Sequence, residues 1–221
     1  MKRRVFSNQL LGLGAGLGAS TSLWSGLAWA QAPAGFVEGK DYIRLSQPLP
    51  LPPTGKIEVL EFFWYGCPHC NAFEPLLEAW AKKLPPDVAF RRVPVAFREE
   101  PFGPHQKIFY ALEALGLVST MHRKVFFAIH VERAKLDKLP EIAAFMAKNG
   151  VDAAKFSEAY NSLGVSTKAT QARKLAEAYR IDGVPALGVQ GRYWTSGTIA
   201  RSPERALTVV DALIAASRKK A

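Results

Sequence analysis

An apolar run that ends at a pair of cysteines constrains the fold of this chain more than any other feature. The run Val-Leu-Glu-Phe-Phe-Trp-Tyr begins at Val59, and a Cys-Pro-His-Cys motif begins at Cys67. A nearly continuous apolar run is typical of a strand buried on both faces, so we predict a strand over 56–65. An amphipathic helix is predicted after it, from apolar residues spaced by three and four at positions 73, 76, 77, 80 and 84. The cysteines therefore lie where a buried strand gives way to a helix.

The rest of the chain predicts an α/β fold with a helical insertion. A second strand over 88–96 completes a strand–helix–strand unit, and Pro75 predicts a kink in the helix between the two strands. Only helical periods occur between 106 and 161. The remaining predicted elements are a short strand at 41–45, a helix at 170–179, a strand pair at 186–190 and 193–194, and a last helix from 202 or 203 to 217.

Composition excludes several classes of protein. The 221 residues suit one domain with an insertion, or at most two small domains. Hydrophobic residues make up 48% and charged residues 22%, which excludes a mainly disordered chain. With only two cysteines, the chain can be neither a disulfide-stapled mini-protein nor a holder of a four-cysteine zinc site.

The first thirty residues have the layout of a secretory signal peptide. Lys2, Arg3 and Arg4 precede a stretch without charge, which ends in Ala-Trp-Ala at Ala30. We predict cleavage after Ala30 and export to an oxidising compartment, the periplasm. The alternative is an uncleaved anchor, but the glycines at 12, 14, 16, 18 and 26 make a poor spanning helix. The paired arginines also resemble a twin-arginine signal, so the export route stays open.

The Cys-Pro-His-Cys motif is placed where a thiolate is favoured. Free backbone N–H groups and the macrodipole at a helix N-terminus stabilise negative charge, so Cys67 is the predicted reactive thiolate. Pro68 fits the first helical position, where no N–H is missed. His69 can donate to sulfur or carry positive charge, and Cys70 is expected to be the more buried sulfur. A stabilised thiolate makes the disulfide a stronger oxidant, so we predict thiol–disulfide exchange through a mixed disulfide.

Two alternative interpretations of the cysteine pair are weaker. A structural disulfide across two intervening residues would remove little entropy from the unfolded chain. A metal site would need ligands from His69, His105, His122 or His130, and none of these lies in a matching motif. We therefore expect no metal and no other cofactor.

Glu61 is the single charged residue in the apolar run. Burial would raise its pKa, and from its position six residues before Cys67 it could lie beneath Cys70 and take or give a proton. The alternative is a carboxylate at the strand edge that points to water.

These features together resemble the thioredoxin superfamily and, more narrowly, the DsbA family of periplasmic thiol:disulfide oxidases. The dipeptide between the cysteines is Pro-His, as in that family, whereas thioredoxins have Gly-Pro. Leu-Glu-Phe-Phe at 60–63 follows the family pattern, and helices split the fold in the same place. The resemblance covers about 41 to 217. It implies a thioredoxin-like domain formed by 41–103 and 167–221, with an inserted helical domain over 104–166.

The resemblance also implies roles for individual residues. Cys67 would be the exposed nucleophile and Cys70 the resolving thiol, with His69 stabilising the Cys67 thiolate. Glu61 matches the family's buried glutamate and Glu74 a second acid on the first helix.

Further positions match the family less tightly. Arg92 falls where the family has a basic partner for these acids. Val184-Pro185 matches the cis-proline loop beside the sulfurs, whose backbone pairs with an extended substrate. Trp64 and Tyr65 could form an apolar rim around Cys67, or could simply pack in the core.

Partners follow from the same resemblance. We expect reduced or unfolded exported proteins as substrates and a quinone-linked inner-membrane reoxidase resembling DsbB. One alternative is a reductase or isomerase of the superfamily. Another is a non-catalytic binder that uses the net charge of +10, although we find no motif for nucleic acid and expect neither nucleic-acid binding nor stable membrane insertion after cleavage.

Overall fold

The computed structural model describes residues 35–51 and 54–218, so the predicted signal peptide over 1–30 lies outside the described residues. Five strands and eight helices are found in the described part of the chain. The strands are β1 (Ile43–Arg44), β2 (Ile57–Phe63), β3 (Val88–Pro94), β4 (Ala186–Val189) and β5 (Tyr193–Ser196). The helices are α1 (Pro68–Ala81), α2 (Phe102–Ala114), α3 (Val118–His130), α4 (Leu139–Lys148), α5 (Ala153–Asn161), α6 (Leu163–Ala178), α7 (Gly197–Ala200) and α8 (Pro203–Arg218).

The strands form one mixed sheet in the order β1-β5-β4-β2-β3. All seven residues of β2 are buried, as its apolar run predicts. This strand pairs in parallel with β3 and antiparallel with β4, so residue 61 lies between Arg92 on one side and Leu187 on the other. The connection from β2 to β3 runs through α1, which confirms the predicted strand–helix–strand unit.

Helices α2 to α6 follow β3 and precede β4, which confirms a helical insertion in an α/β fold of the thioredoxin type. A cluster of aromatic rings joins this insertion to the sheet. Phe63 of β2 packs against Phe109 of α2 and Phe126 of α3, with ring centroids 5.4 and 6.0 Å apart. This cluster lies directly beside the end of β2, where the cysteines follow.

The predicted division into two domains is not decided by these elements. Its limits at 104 and 166 fall inside α2 and α6, which begin at Phe102 and Leu163. The limits 41–103, 104–166 and 167–221 therefore remain a prediction.

Two helices add to what the sequence pattern predicts. Helix α1 continues through Pro75 to Ala81, so this proline does not end the helix, and the predicted kink stays a prediction. The four-residue helix α7, capped by Ser196 Oγ on the Ile199 N–H, was not predicted because it is too short to show a period.

Within the described residues, no helix combines the length and apolar character needed to cross a membrane.

Candidate active site

Cys67 is the N-cap of α1 and so occupies the predicted helix start. Its Sγ accepts a hydrogen bond from the Cys70 backbone N–H at 3.3 Å, and Pro68 opens the helix where no N–H is missed. Neither cysteine is in a disulfide, so the pair is in its reduced form. The helix start therefore places a backbone donor directly on the sulfur.

The two cysteine thiols differ in pKa because their surroundings differ. A hydrogen bond from the Cys70 side chain lowers the pKa of Cys67 to about 6, against the opposing effect of burial, with further help from the backbone N–H groups of Cys70 and His69 and from the His69 charge. Burial, followed by the neighbouring Cys67, raises the pKa of Cys70 well above its ordinary value. Near neutral pH, the site therefore favours a Cys67 thiolate beside a Cys70 thiol.

Burial corrects one expectation about the nucleophile. Cys67 is 7% exposed and Cys70 is 0% exposed. Cys70 is the more buried sulfur, as predicted, but Cys67 is not an openly exposed group. The loop that contains Val184 approaches it: the Val184 carbonyl oxygen lies 3.4 Å from Cys67 Sγ and accepts a hydrogen bond from it when Cys67 is protonated.

The Val184-Pro185 loop borders a groove beside the cysteines. The peptide bond between these two residues is cis, as in the loop that the resemblance suggests. The groove has a volume of about 730 Å³, and its wall includes His69, Phe73 and Trp194. His69 itself is exposed on α1, so it adjoins both the groove and the helix start that carries Cys67.

Glu61 is fully buried, so the strand-edge alternative is wrong. Arg92 Nε lies 3.0 Å from Glu61 Oε2. No described residue forms a hydrogen bond with either carboxyl oxygen, because that N–H is directed at Glu74 Oε1, 3.4 Å away. Burial, followed by the charge of Glu74, raises the pKa of Glu61 well above its ordinary value, although Arg92 opposes this. Glu61 also disfavours the anion of Cys70, which links it electrostatically to that thiol.

Glu74 contacts the same Arg92 guanidinium as Glu61 but accepts more hydrogen bonds. It lies one helical turn after Cys70 and is fully buried. Arg92 Nη2 donates to Glu74 Oε2 at 2.9 Å, and His122 Nε2 lies 3.0 Å from Oε1. Burial raises the pKa of Glu74, but His122 and Arg92 outweigh it and hold this pKa below the ordinary value. The loosely matched Arg92 is thus found between both acids.

The two predicted rim residues differ in burial. Trp64 is half-buried and stacks on Phe102, with ring centroids 4.1 Å apart. Tyr65 is 0% exposed, and its hydroxyl lies 2.8 Å from His122 Nδ1. Tyr65 therefore belongs to the core alternative and cannot line the surface around Cys67.

Sequence reasoning missed two residues of this site. His122 was considered only as a metal ligand without a matching motif, because nothing in the sequence connects it with Glu74, 48 residues away. Gly66 received no interpretation from the sequence, yet a Cβ there would lie 2.6 Å from Trp64 Cε2. The single glycine between Tyr65 and Cys67 was the available signal for this close approach.

Comparisons with known proteins agree with this geometry. Residues 58–201 match the model of the DSBA-like thioredoxin domain. The thiol:disulfide interchange protein DsbA of Burkholderia cepacia is 44% identical over 213 residues, which is 96% of this chain and 96% of that protein. The DsbA of Pseudomonas aeruginosa is 44% identical over 186 residues, covering 84% of this chain and 88% of that protein.

Solved structures show the same likeness. The crystal structure of Pseudomonas aeruginosa DsbA superposes with a TM-score of 0.80 at 44% identity, over 83% of this chain and 95% of that chain. The oxidoreductase DsbA from Xylella fastidiosa superposes with a TM-score of 0.77 at 33% identity, over 83% of this chain and 98% of that chain. With its two-cysteine helix start, this chain therefore belongs to the DsbA family of thioredoxin-fold proteins and is a thiol:disulfide oxidoreductase.

Proposed function

We propose that this chain is a periplasmic oxidase that donates its Cys67–Cys70 disulfide to newly exported proteins. The observation that carries the proposal is the Cys67 sulfur at the start of α1, where a hydrogen bond from Cys70 and backbone N–H groups lower its pKa to about 6. Stabilising the thiolate of the reduced form makes the disulfide form the better oxidant. The membership of an oxidoreductase family removes the alternative of a non-catalytic binder.

The reaction proceeds in two exchanges. A client thiolate attacks Cys67 Sγ, the Cys67–Cys70 bond breaks, and Cys70 leaves with the electron pair. A second client thiolate then attacks the client sulfur of the mixed disulfide, and Cys67 leaves as a thiolate. Two electrons pass from the client to the enzyme, while the two client thiols lose their protons and Cys70 gains one. Cys67 is the better leaving group because its pKa is the lower.

Glu61 is the proposed proton donor for Cys70. It is buried, its pKa is raised by that burial, and an ionised Glu61 would disfavour the Cys70 anion, so the two groups favour sharing a proton. A protonated Glu61 can therefore give a proton when Cys70 leaves and take it back when the disulfide forms again. Glu74 and Arg92 support this acid, since Arg92 contacts both carboxyl groups.

Client binding is proposed for the surface around Cys67. The Val184-Pro185 loop and the adjacent groove of about 730 Å³ would accept an extended apolar segment through backbone pairing and burial. Half-buried Trp64 would add an apolar contact. After cleavage at Ala30, the mature protein would act in the periplasm, and an inner-membrane, quinone-linked partner resembling DsbB would reoxidise it.

Single-cysteine variants test the mechanism on a reduced client protein. Cys67→Ser removes the nucleophile and should abolish client oxidation. Cys70→Ser carries no disulfide and should not oxidise the client either. If its Cys67 is first joined to glutathione by exchange with oxidised glutathione, a client with a single thiol should displace the glutathione and remain as a client–Cys67 mixed disulfide, visible by mass spectrometry and released by reductant. Ser119→Ala, a change of an exposed residue on α3, is the matched control. Client oxidation at an unchanged rate in both cysteine variants would refute the mechanism.

The redox equilibrium with glutathione separates the oxidase from the remaining alternative, a reductase or isomerase of the superfamily. The lowered pKa of Cys67 predicts that excess reduced glutathione converts the pair to the dithiol. A pair that stays oxidised under those conditions would exclude the oxidase and favour the reductase.

A further inference from the structure

A buried chain of polar side chains extends beyond the three residues that the proposed function uses. It runs from Glu61 on β2 through Arg92 on β3 and Glu74 on α1 to His122 on α3. Tyr65 closes its far end, with its hydroxyl 2.8 Å from His122 Nδ1. Glu61, Glu74 and Tyr65 are 0% exposed and His122 is 3% exposed, so water does not screen these groups.

The contacts fix the tautomer of His122. Among the described residues, the Tyr65 hydroxyl has His122 Nδ1 as its hydrogen-bond partner, so the hydroxyl donates its proton there and Nδ1 accepts. A neutral ring then carries its hydrogen on Nε2, which points to Glu74 Oε1, 3.0 Å away. Burial lowers the pKa of His122, which favours this neutral ring.

Charge balance then decides where the proton of the two acids lies. Arg92 is the one positive charge within this chain of side chains when His122 is neutral. It can compensate one buried carboxylate, and a second buried carboxylate would be unpaired and would destabilise the fold. Glu74 receives well-aligned donors from both Arg92 and His122, whereas among the described residues Glu61 has only a charge contact with Arg92 Nε at 3.0 Å, which is too poorly aligned for a hydrogen bond. Glu78 on α1 is another described charged group that acts on Glu61: it is partly exposed, lies 4.0 Å from Arg123 Nη1, and disfavours a second carboxylate. The carboxylate is therefore Glu74, and the neutral acid is Glu61.

We propose that His122 is a positioning residue for the thiol exchange: by donating its Nε2–H to Glu74, it keeps that carboxylate on Arg92 and leaves the proton on Glu61, where it can serve Cys70. The inference rests on the proton-donor role of Glu61 in the proposed function. His122 itself contacts neither sulfur nor substrate, and it acts by choosing which of two acids is neutral.

Replacing the donor should move the proton. In His122→Leu, Glu74 loses one of its donors and becomes the better site for the proton, while Arg92 pairs with an ionised Glu61. His122→Gln places an amide N–H near the position of Nε2 and an oxygen near Nδ1, so it should preserve the wild-type arrangement. His105→Leu is the matched control, since His105 is also buried but contacts the Lys135 carbonyl and none of the acids.

Side-chain carboxyl ¹³C chemical shifts of the reduced protein read the proton position without replacing either acid. In the wild type at pH 7, the carboxyl carbon of Glu61 should have the shift of a neutral acid and that of Glu74 the shift of a carboxylate. In His122→Leu this order should be reversed, and in His122→Gln and His105→Leu it should not. A wild type in which Glu74 is the neutral acid, or an order that His122→Leu leaves unchanged, would overturn the proposal.

Single-turnover kinetics separates this proposal from the proposed function. Reduction of the Cys67–Cys70 disulfide by glutathione at pH 7 should slow about tenfold or more in His122→Leu, as in Glu61→Gln, and recover in His122→Gln. If Glu61→Gln is slow and His122→Leu is as fast as the wild type, the positioning role fails while the proton donor stands. If neither is slow, the proton donor fails as well.

The unmutated protein provides a test that does not depend on a variant that folds. Ring ¹⁵N chemical shifts of His122 should report the neutral Nε2–H tautomer at pH 7. A proton on Nδ1 instead would mean that His122 cannot donate to Glu74, and it would overturn the proposal even if His122→Leu failed to fold.

Discussion

Arg92→Met removes the guanidinium that lies between two buried carboxyl groups, and the cost can be worked from the structure. Glu74 must then fold either as a poorly paired buried anion or as a neutral acid. At pH 7 the neutral acid costs up to about 3 kcal/mol, because the ordinary pKa of this carboxyl is 4.5 and each pH unit above it costs about 1.4 kcal/mol. Glu61 adds little, since its raised pKa already favours the neutral form.

The sign of the pH dependence follows from the lowered pKa of Glu74. A carboxyl group whose pKa is lower in the folded state than in the unfolded state stabilises the fold at pH values above its unfolded-state pKa. This stabilisation is lost as the pH falls through the folded-state pKa. The difference between wild type and Arg92→Met should therefore be largest near pH 7 and shrink towards pH 4.5.

Urea unfolding of the reduced proteins at pH 7 and pH 4.5 measures this difference. Arg91→Met is the matched control, because the Arg91 side chain is 47% exposed and its pair with Glu58 is worth less than about 1 kcal/mol. An Arg92→Met loss no larger than that of Arg91→Met, or a loss that does not change with pH, would refute the reasoning.

Three further predictions concern residues near the cysteines. Gly66→Ala should displace Trp64, whose ring lies within 2.6 Å of the new Cβ, with a changed tryptophan fluorescence and a loss of about 1–3 kcal/mol in urea unfolding; an unchanged spectrum would contradict this close contact between the Trp64 ring and the Gly66 backbone. The lowered pKa of Cys67 should make the reduced wild type gain stability over reduced Cys67→Ser as the pH rises above about 6, by about 1.4 kcal/mol at pH 7, and a flat difference between pH 5 and pH 8 would argue against it. Glu61→Gln should slow single-turnover client oxidation while the urea midpoint stays at or above the wild-type value, and unchanged rates would remove its role as the proton donor of Cys70.

The sequence predicted those parts of the fold that follow from local patterns. The apolar run of β2 and the three- and four-residue spacing of α1 are repeating signals, so both elements and the cysteines between them were predicted. The exact limits of the strands and the short helix α7 were not predicted, because a periodic pattern cannot be recognised from single residues or from one helical turn.

In the candidate site, too, the residues with a local sequence signal were predicted and those that depend on distant contacts were not. Cys67, Cys70 and Glu61 were recognised because each stands out against its own neighbours in sequence. The contact between His122 and Glu74 depends on α3 packing against α1, 48 residues apart, and no local signal reports such a contact. The burial of Tyr65 was likewise set by the aromatic cluster of the helical insertion, with its ring 5.0 Å from that of Phe126.

The thiolate absorbance of the reduced protein, followed as a function of pH, tests most directly whether the start of α1 stabilises the Cys67 anion. Cys67→Ser supplies the baseline, because Cys70 keeps its proton in this range owing to burial, which raises its pKa. A single transition with a midpoint at about pH 6 that disappears in Cys67→Ser is the predicted result. A midpoint near 9.0, the ordinary pKa of a cysteine thiol, would contradict the account.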